Sequence, residues 1–318
     1  MDKDVNLISQ PIFLVGAERS GTTLLRLMLD HHPQIAFDHE FEYAVDLIRE
    51  TSHPDIQDYY DFLETDRIFQ NSGFEIDFDL DYSQLVNSFL VQKQKRDGKP
   101  IVGATVHRHF DRLLTVWSDP KFIHILRDPR DVARSCIGMN WAGNVWSGVE
   151  RWLEAEKLWA QLKETIPPEQ QIEVRYESLI SEPVANLERL CEFMGTSYDS
   201  GMLSYPDHST YSLPEAKFVA QWKRKLSPKE IQLVEARVGK KMLEDRGYEL
   251  SQLPALHVSQ TTEQKLRLHN RWSVVKGRIN TYGFPLVLSG YLSRRLGLKQ
   301  WEKNIQLKCN LIDSSKLK

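Results

Sequence analysis

Residues 16–23 read Gly-Ala-Glu-Arg-Ser-Gly-Thr-Thr, and they follow an apolar run and open an apolar helical stretch. The spacing of Gly16 and Gly21 is that of a phosphate-binding P-loop. Glycines let a backbone wrap an anion, successive N–H groups converge on it, and a helix N-terminus adds positive potential. Arg19, Ser20, Thr22 and Thr23 add donors. Loops that use a nucleoside triphosphate carry lysine after the second glycine; here that position is Thr22. The pattern therefore suits an anion but lacks the usual triphosphate cation. The alternative is an ordinary strand-to-helix turn, against which stand the flanking elements and the four polar side chains. A second cluster is Leu126-Arg127-Asp128-Pro129-Arg130-Asp131, with Ser135 further on. Arg127 and Ser135 suit a second phosphate, the arginine by bidentate contacts. An Arg–Asp network capping a helix at Pro129 accounts for the same residues equally well.

Four apolar runs read as strands: Pro11 to Val15, Ile101 to Ala104, Lys121 to Leu126, and Ile172 to Tyr176. Helical periodicity falls between them, over Thr22–His31, from Asp131, over Trp146–Leu162 and over Leu179–Met194. Strands alternating with helices imply parallel βαβ units and an α/β fold with a central parallel sheet. Ligands of such sheets bind beyond the carboxyl ends of the strands, where both polar clusters fall.

The chain has 318 residues, 27% charged and 41% hydrophobic, with net charge −3. That composition builds a sizeable core, and no overall basic field points to nucleic acid. Cys136, Cys191 and Cys309 are scattered, which argues against a disulfide scaffold and a cysteine metal site. The first residues lack a basic start followed by a long apolar run, and no run is long enough to span a bilayer. A cytoplasmic protein is the expectation. Charge is uneven: residues 251–318 hold 12 Lys and Arg against 3 Asp and Glu, and residues 1–250 hold 29 against 41. A boundary near Leu250 divides a body, 1–250, from a basic, helical extension, 251–318. The extension's cheapest partner is the acidic body. Membrane-surface binding would need a clean amphipathic stripe, and Gly283, Pro285, Gly290 and Gly297 interrupt any long one.

Together the two clusters resemble the sulfotransferases that use 3′-phosphoadenosine 5′-phosphosulfate (PAPS), in particular the bacterial enzymes similar to the protein-tyrosine branch. FLVGAERSGTTLLRLMLDHHPQI is similar to that family's 5′-phosphosulfate loop, and KFIHILRDPRDVARS to its 3′-phosphate block. VRYESLISEPVANLERLCEFMG and WKRKLSPKEIQLVEARVGKKMLEDRGYEL are weaker matches, and the ordered blocks run from Pro11 to Leu250. The resemblance implies a P-loop fold and sulfuryl transfer to a hydroxyl or amine of a small-molecule, glycan or peptide acceptor, with PAPS as co-substrate and no metal. It assigns the phosphosulfate to Arg19, Ser20, Gly21, Thr22 and Thr23, the 3′-phosphate to Arg127 and Ser135, and a place near the nucleotide to Tyr176.

Such transfer needs a base for the acceptor proton. The resemblance puts it at Glu40, with Asp38 and His39 as neighbours. On residue pattern alone, Glu40 and Glu42 would be solvated turn or helix residues. The family's cytosolic branch uses a histidine after a later strand, which makes His107 and His109 the alternative bases. Many relatives carry lysine where this chain has Thr105; Arg108 and Arg19 are the cations that would replace it. Met139 to Trp146 suits an acceptor pocket or core packing. The acidic, aromatic stretch Asp55–Ser88 reads as a helical insertion over the acceptor site, favouring a neutral or cationic acceptor. A P-loop kinase and a non-catalytic nucleotide-binding or interaction protein on the same fold are the alternatives.

Overall fold

The structure, a computed structural model, describes residues 7–50 and 52–316; the start of the N-terminal segment, residues 1–6, lies outside them. Five strands form one all-parallel sheet: β1 Ile12–Val15, β2 Ile35–Glu40, β3 Ile101–Val106, β4 Lys121–Leu126 and β5 Gln171–Arg175. Their order is β2-β3-β1-β4-β5. β1 is apolar at every position because helices cover both sheet faces. Phe13 and Val15 point into one core, Ile12 and Leu14 into the other, all 0–2% exposed. Each such side chain buried contributes about 1.5–3 kcal/mol.

Two differences from the residue pattern affect the site. β2 is a strand that the pattern did not signal, since its acidic end interrupts the apolar run; its first four residues are buried, and Glu40 ends it, exposed. The stretch expected as one helix over Leu179–Met194 is two, Tyr176–Ser181 and Pro183–Met194. Pro183 starts the second because its missing N–H costs nothing at a helix N-terminus.

The order reverses direction around β1, which pairs with β3 on one side and β4 on the other. That is a topological switch point, where a crevice opens beyond the strand ends. Each strand end delivers a candidate residue there. β1 runs into the Gly16 loop, β2 ends at Glu40, β3 is followed by His107, β4 by Arg127 and β5 by Tyr176.

Residues beyond 258 form three helices, Gln260–Tyr282, Phe284–Arg295 and Lys299–Lys316. The first seats on the loop before Trp146: Gly143 N donates to Asn270 Oδ1 at 2.7 Å, and Asn144 Nδ2 to the Leu266 carbonyl at 2.8 Å. The last crosses the helical insertion, with Asn310 Nδ2 donating to the Thr65 carbonyl at 2.9 Å and Lys303 paired to Glu64.

Candidate active site

Gly21 caps the helix Thr22–Asp30 at φ 99°, with no side-chain cap and no acid in the first turn. The helix thus presents free N–H groups and its positive end to the crevice. A Cβ on Gly21 would lie 2.3 Å from the Tyr176 ring, so only glycine lets that ring close on the loop. Arg19 holds φ 71°, a conformation that costs a non-glycine residue about 1–3 kcal/mol. Arg127 Nη1 pins this turn by donating to the Arg19 carbonyl at 3.0 Å. Arg19 Nε in turn donates to Ser135 Oγ at 3.0 Å. The two clusters, far apart in sequence, are therefore locked together.

Arg127 also stacks on Tyr176, 4.1 Å from the ring centroid, and donates Nη2 to the Phe218 carbonyl at 3.2 Å. Its Nε is buried without a protein partner among the described residues, as is Ser20 Oγ. Other buried groups of the molecule also lack a partner, but Arg127 lines the crevice, where its free donor can meet a ligand's acceptor. The second arginine of the turn is structural: buried Arg130 makes a fork with Asp128 at 2.9 and 2.8 Å, reaches Glu235 at 2.9 Å and covers Trp222. Asp128 caps the helix Pro129–Gly138. The Arg–Asp capping network is thus carried by Arg130, and Arg127 is left to line the crevice.

Thr22 Oγ1 lies 3.0 Å from His107 Nε2, and His107 Nδ1 lies 2.6 Å from Glu42 Oε1, all buried. The His107 backbone N–H donates to the same Glu42 oxygen at 2.9 Å. Burial disfavours the His107 imidazolium, yet the Glu42 charge and hydrogen bond outweigh it and hold its pKa above the ordinary value. Burial would raise the Glu42 pKa, and His107 outweighs that and lowers it. Both shifts favour an imidazolium facing a carboxylate. With both ring nitrogens protonated, Nε2 donates to Thr22, whose own hydroxyl proton is left to point into the crevice.

Two hollows meet here. One, of about 520 Å³, is lined by Arg19, Gly21, Thr22, Thr23, Glu40, Arg127, Ser135 and Tyr176, and is covered by the segment 210–214. The other, of about 1680 Å³, is an open cleft between the insertion and the last helix, lined by Asp55, Asp58, Asp61, Arg108, Lys299 and Asn310 among others. Glu18, Glu40, His107 and Trp141 line both. Glu40 stands at this junction with no hydrogen bond or ion pair among the described residues.

The smaller hollow thus gathers the phosphate-binding and base candidates except Ser20, which is buried beneath the loop, and His109. Other expectations fall elsewhere. His109 lines only the cleft, and buried Asp38 pairs with His39 at 2.8 Å. Thr105 is buried and lines neither hollow, and Arg108 is held by Asp46 at 2.9 and 2.6 Å, so it does not replace a lysine there. The Trp-rich stretch divides: Trp141 lies at the junction under Arg19 and Arg151, and Trp146 is core. The insertion's acids share the cleft's lining with Arg49, Arg67, Arg112 and Lys299, so the lining is mixed rather than acidic. Residue pattern missed Glu42, Arg134, Gln221 and the covering segment 210–214. A glutamate two residues from Glu40 was a usable signal for the first; the covering segment carries none.

Among the described residues no group of three His, Cys, Asp or Glu is arranged to hold a metal ion. Nor is any described helix long and apolar enough to cross a membrane.

A parallel α/β sheet with a glycine loop at its switch point defines a P-loop-like α/β fold. The family model described as "Sulfotransferase family" matches residues 11–200, more than half of the chain. The chain belongs to the sulfotransferase family and is a transferase. It is 26% identical over 208 residues to a Caenorhabditis briggsae protein named "Putative protein-tyrosine sulfotransferase", spanning 62% of this chain and 69% of that one. It is 23% identical over 215 residues to protein-tyrosine sulfotransferase A of Caenorhabditis elegans, spanning 64% of this chain and 54% of that one. Among solved structures, the sulfotransferase domain from the curacin biosynthetic pathway aligns with TM-score 0.57 at 16% identity, over 77% of this chain and all of that domain. The sulfotransferase domain of the Synechococcus PCC 7002 olefin synthase aligns with TM-score 0.51 at 18% identity, over 77% of this chain and 98% of that domain. At these identities the two structures support the fold.

Proposed function

We propose that this protein transfers the sulfuryl group of PAPS to a hydroxyl or amine of a small-molecule, glycan or peptide acceptor, with Glu40 as general base. The observation that carries the reading is the meeting of the two hollows at Glu40, His107 and Trp141. In this reading the smaller hollow takes the nucleotide and the cleft takes the acceptor. PAPS supplies the activated sulfuryl group and a bisphosphate leaving group. The residues fit it: the helix N-terminus, Arg19, Thr22 and Thr23 surround one anion place, with Ser20 behind the loop, and the free Nε of Arg127 with Ser135 marks a second.

Each residue has a distinct task. Glu40, unpaired at the junction, accepts the acceptor's proton. His107 fixes the Thr22 hydroxyl as a donor toward the transferring group, and its charge stands in for the lysine that Thr22 and Thr105 lack. Glu42 favours the protonated, non-basic form of His107, which speaks for Glu40 over His107 at that step. Fixed donors aimed at developing charge supply most of the rate in such transfers. The family match sets aside a triphosphate kinase. Residues 1–250 form the transferase body in this reading and 251–318 an added tail. Three free thiols suit the cytoplasm as its compartment.

Glu40→Gln should lower sulfuryl transfer from PAPS by about a hundredfold or more while leaving bisphosphate nucleotide binding intact. Turnover within a few-fold of the unaltered protein would remove Glu40 from the role of base.

A further inference from the structure

Most of the large apolar side chains that the molecule leaves exposed lie on the tail helices, between Leu268 and Leu311. On the helix Gln260–Tyr282, Leu268, Trp272 and Val275 follow at i, i+4 and i+7, a single face. Trp272 is 75% exposed. The opposite face, with Leu266, Asn270 and Ser273, is the one seated on Gly143 and Asn144. On the helix Phe284–Arg295, Phe284, Leu288, Tyr291 and Leu292 repeat the pattern at i, i+4, i+7 and i+8, Phe284 being 59% exposed. Gly283 does break the segment in two, but each half carries its own stripe.

The polar partners of these stripes are basic. Arg271, Lys276, Arg294 and Lys299 are exposed and form no ion pair among the described residues. Aromatic and leucine side chains beside Arg and Lys are the composition of helices that lie in a bilayer interface. The charge distribution selects the surface. The tail carries 12 basic against 3 acidic residues and the body 29 against 41, so an anionic surface attracts one and repels the other. A second copy presenting the same basic face would be repelled. With no described helix long and apolar enough to cross a membrane, the helices would lie on it.

We propose that residues 260–299 dock the protein on an anionic lipid surface through the Leu268–Trp272–Val275 and Phe284–Leu288–Tyr291 stripes.

The test is flotation of the full chain with vesicles of phosphatidylcholine alone and of phosphatidylcholine with about a third phosphatidylserine. The protein should float with the anionic vesicles only, less so at high salt. The double variant Arg271→Ser, Arg294→Ser should bind about fivefold more weakly per charge removed. The double variant Trp272→Ser, Leu288→Ser should bind at least about tenfold more weakly, with an unchanged circular-dichroism melt. Failure to float with anionic vesicles would overturn the proposal, as would undiminished binding by the Trp272→Ser, Leu288→Ser variant. A concentration-dependent dimer that this variant dissolves would overturn it too, since a second copy would then cover the face.

Discussion

The smaller hollow and the larger cleft share Glu18, Glu40, His107 and Trp141, but they are built by different means. The hollow is assembled from strand ends and closed by contacts with no slack: Tyr176 against Gly21, Arg127 on the Arg19 carbonyl, His107 between Thr22 and Glu42. The cleft is enclosed by an insertion and a tail helix that meet through a few polar contacts such as Asn310 to Thr65. Rigid placement suits a site whose ligand is always the same. A wall made of added segments suits one whose ligand differs among relatives that share the sheet.

Substitutions can break that contrast or sharpen it. The largest structural effect belongs to the buried pair. Glu42→Ala leaves His107 buried without its counter-charge and should cost about 3–5 kcal/mol of stability, read from denaturant unfolding. The pair also sets a pH window. Glu42 has a lowered pKa, so its contribution is full above its ordinary value near 4.5 and is lost as pH falls through the lowered one. His107 has a raised pKa, so its contribution is full below 6.5 and is lost as pH rises through the raised one. His107→Gln should therefore reduce the alkaline slope of stability. It should not abolish it, because buried His124, between Glu156 and Glu173 at 3.0 Å each, is also held above its ordinary value. An unchanged slope would show that His107 is neutral.

Gly21→Ala comes next. Its Cβ would displace the Tyr176 ring and strain a positive φ, so about 1–3 kcal/mol should appear as weaker nucleotide binding. Calorimetry that finds unaltered affinity would mean that the hollow yields more easily than its contacts imply. The smallest effect is expected on the cleft side: Asn310→Ala removes one hydrogen bond, worth about 0.5–1.5 kcal/mol. It should leave nucleotide affinity alone and act, if on catalysis, through KM for the acceptor. A loss of nucleotide affinity there would erase the distinction between the two regions.

Legibility in the sequence follows the same division. The loop at 16–23 and the block at 126–135 are contiguous, and backbone geometry ties each to a strand end, so their residue types sufficed to locate the hollow. What the pattern could not separate was Arg127 from Arg130, because side-chain direction in that turn depends on Glu235 and Trp222, distant in the chain. β2 went unread because its carboxyl end turns polar at Asp38, still buried, and then leaves the core at His39 and Glu40. Glu42 was beyond reach as a partner of His107, since only the β2–β3 pairing brings the two together. The cleft needed knowledge of where the tail returns, which no local pattern encodes. The tail's stripes were hidden by Gly283, which reads as an interruption in sequence and is a joint between two helices that each expose apolar side chains in the fold.

The central claim is that the smaller hollow binds a nucleotide carrying both a 5′- and a 3′-phosphate. Calorimetric titration with adenosine 3′,5′-bisphosphate, set beside AMP, tests it most directly. Tight binding of the bisphosphate without magnesium is expected, with weaker binding of AMP and, for Arg127→Ala, a loss of about tenfold or more confined to the bisphosphate. Equal affinities for the two nucleotides, or equal losses in Arg127→Ala, would contradict it.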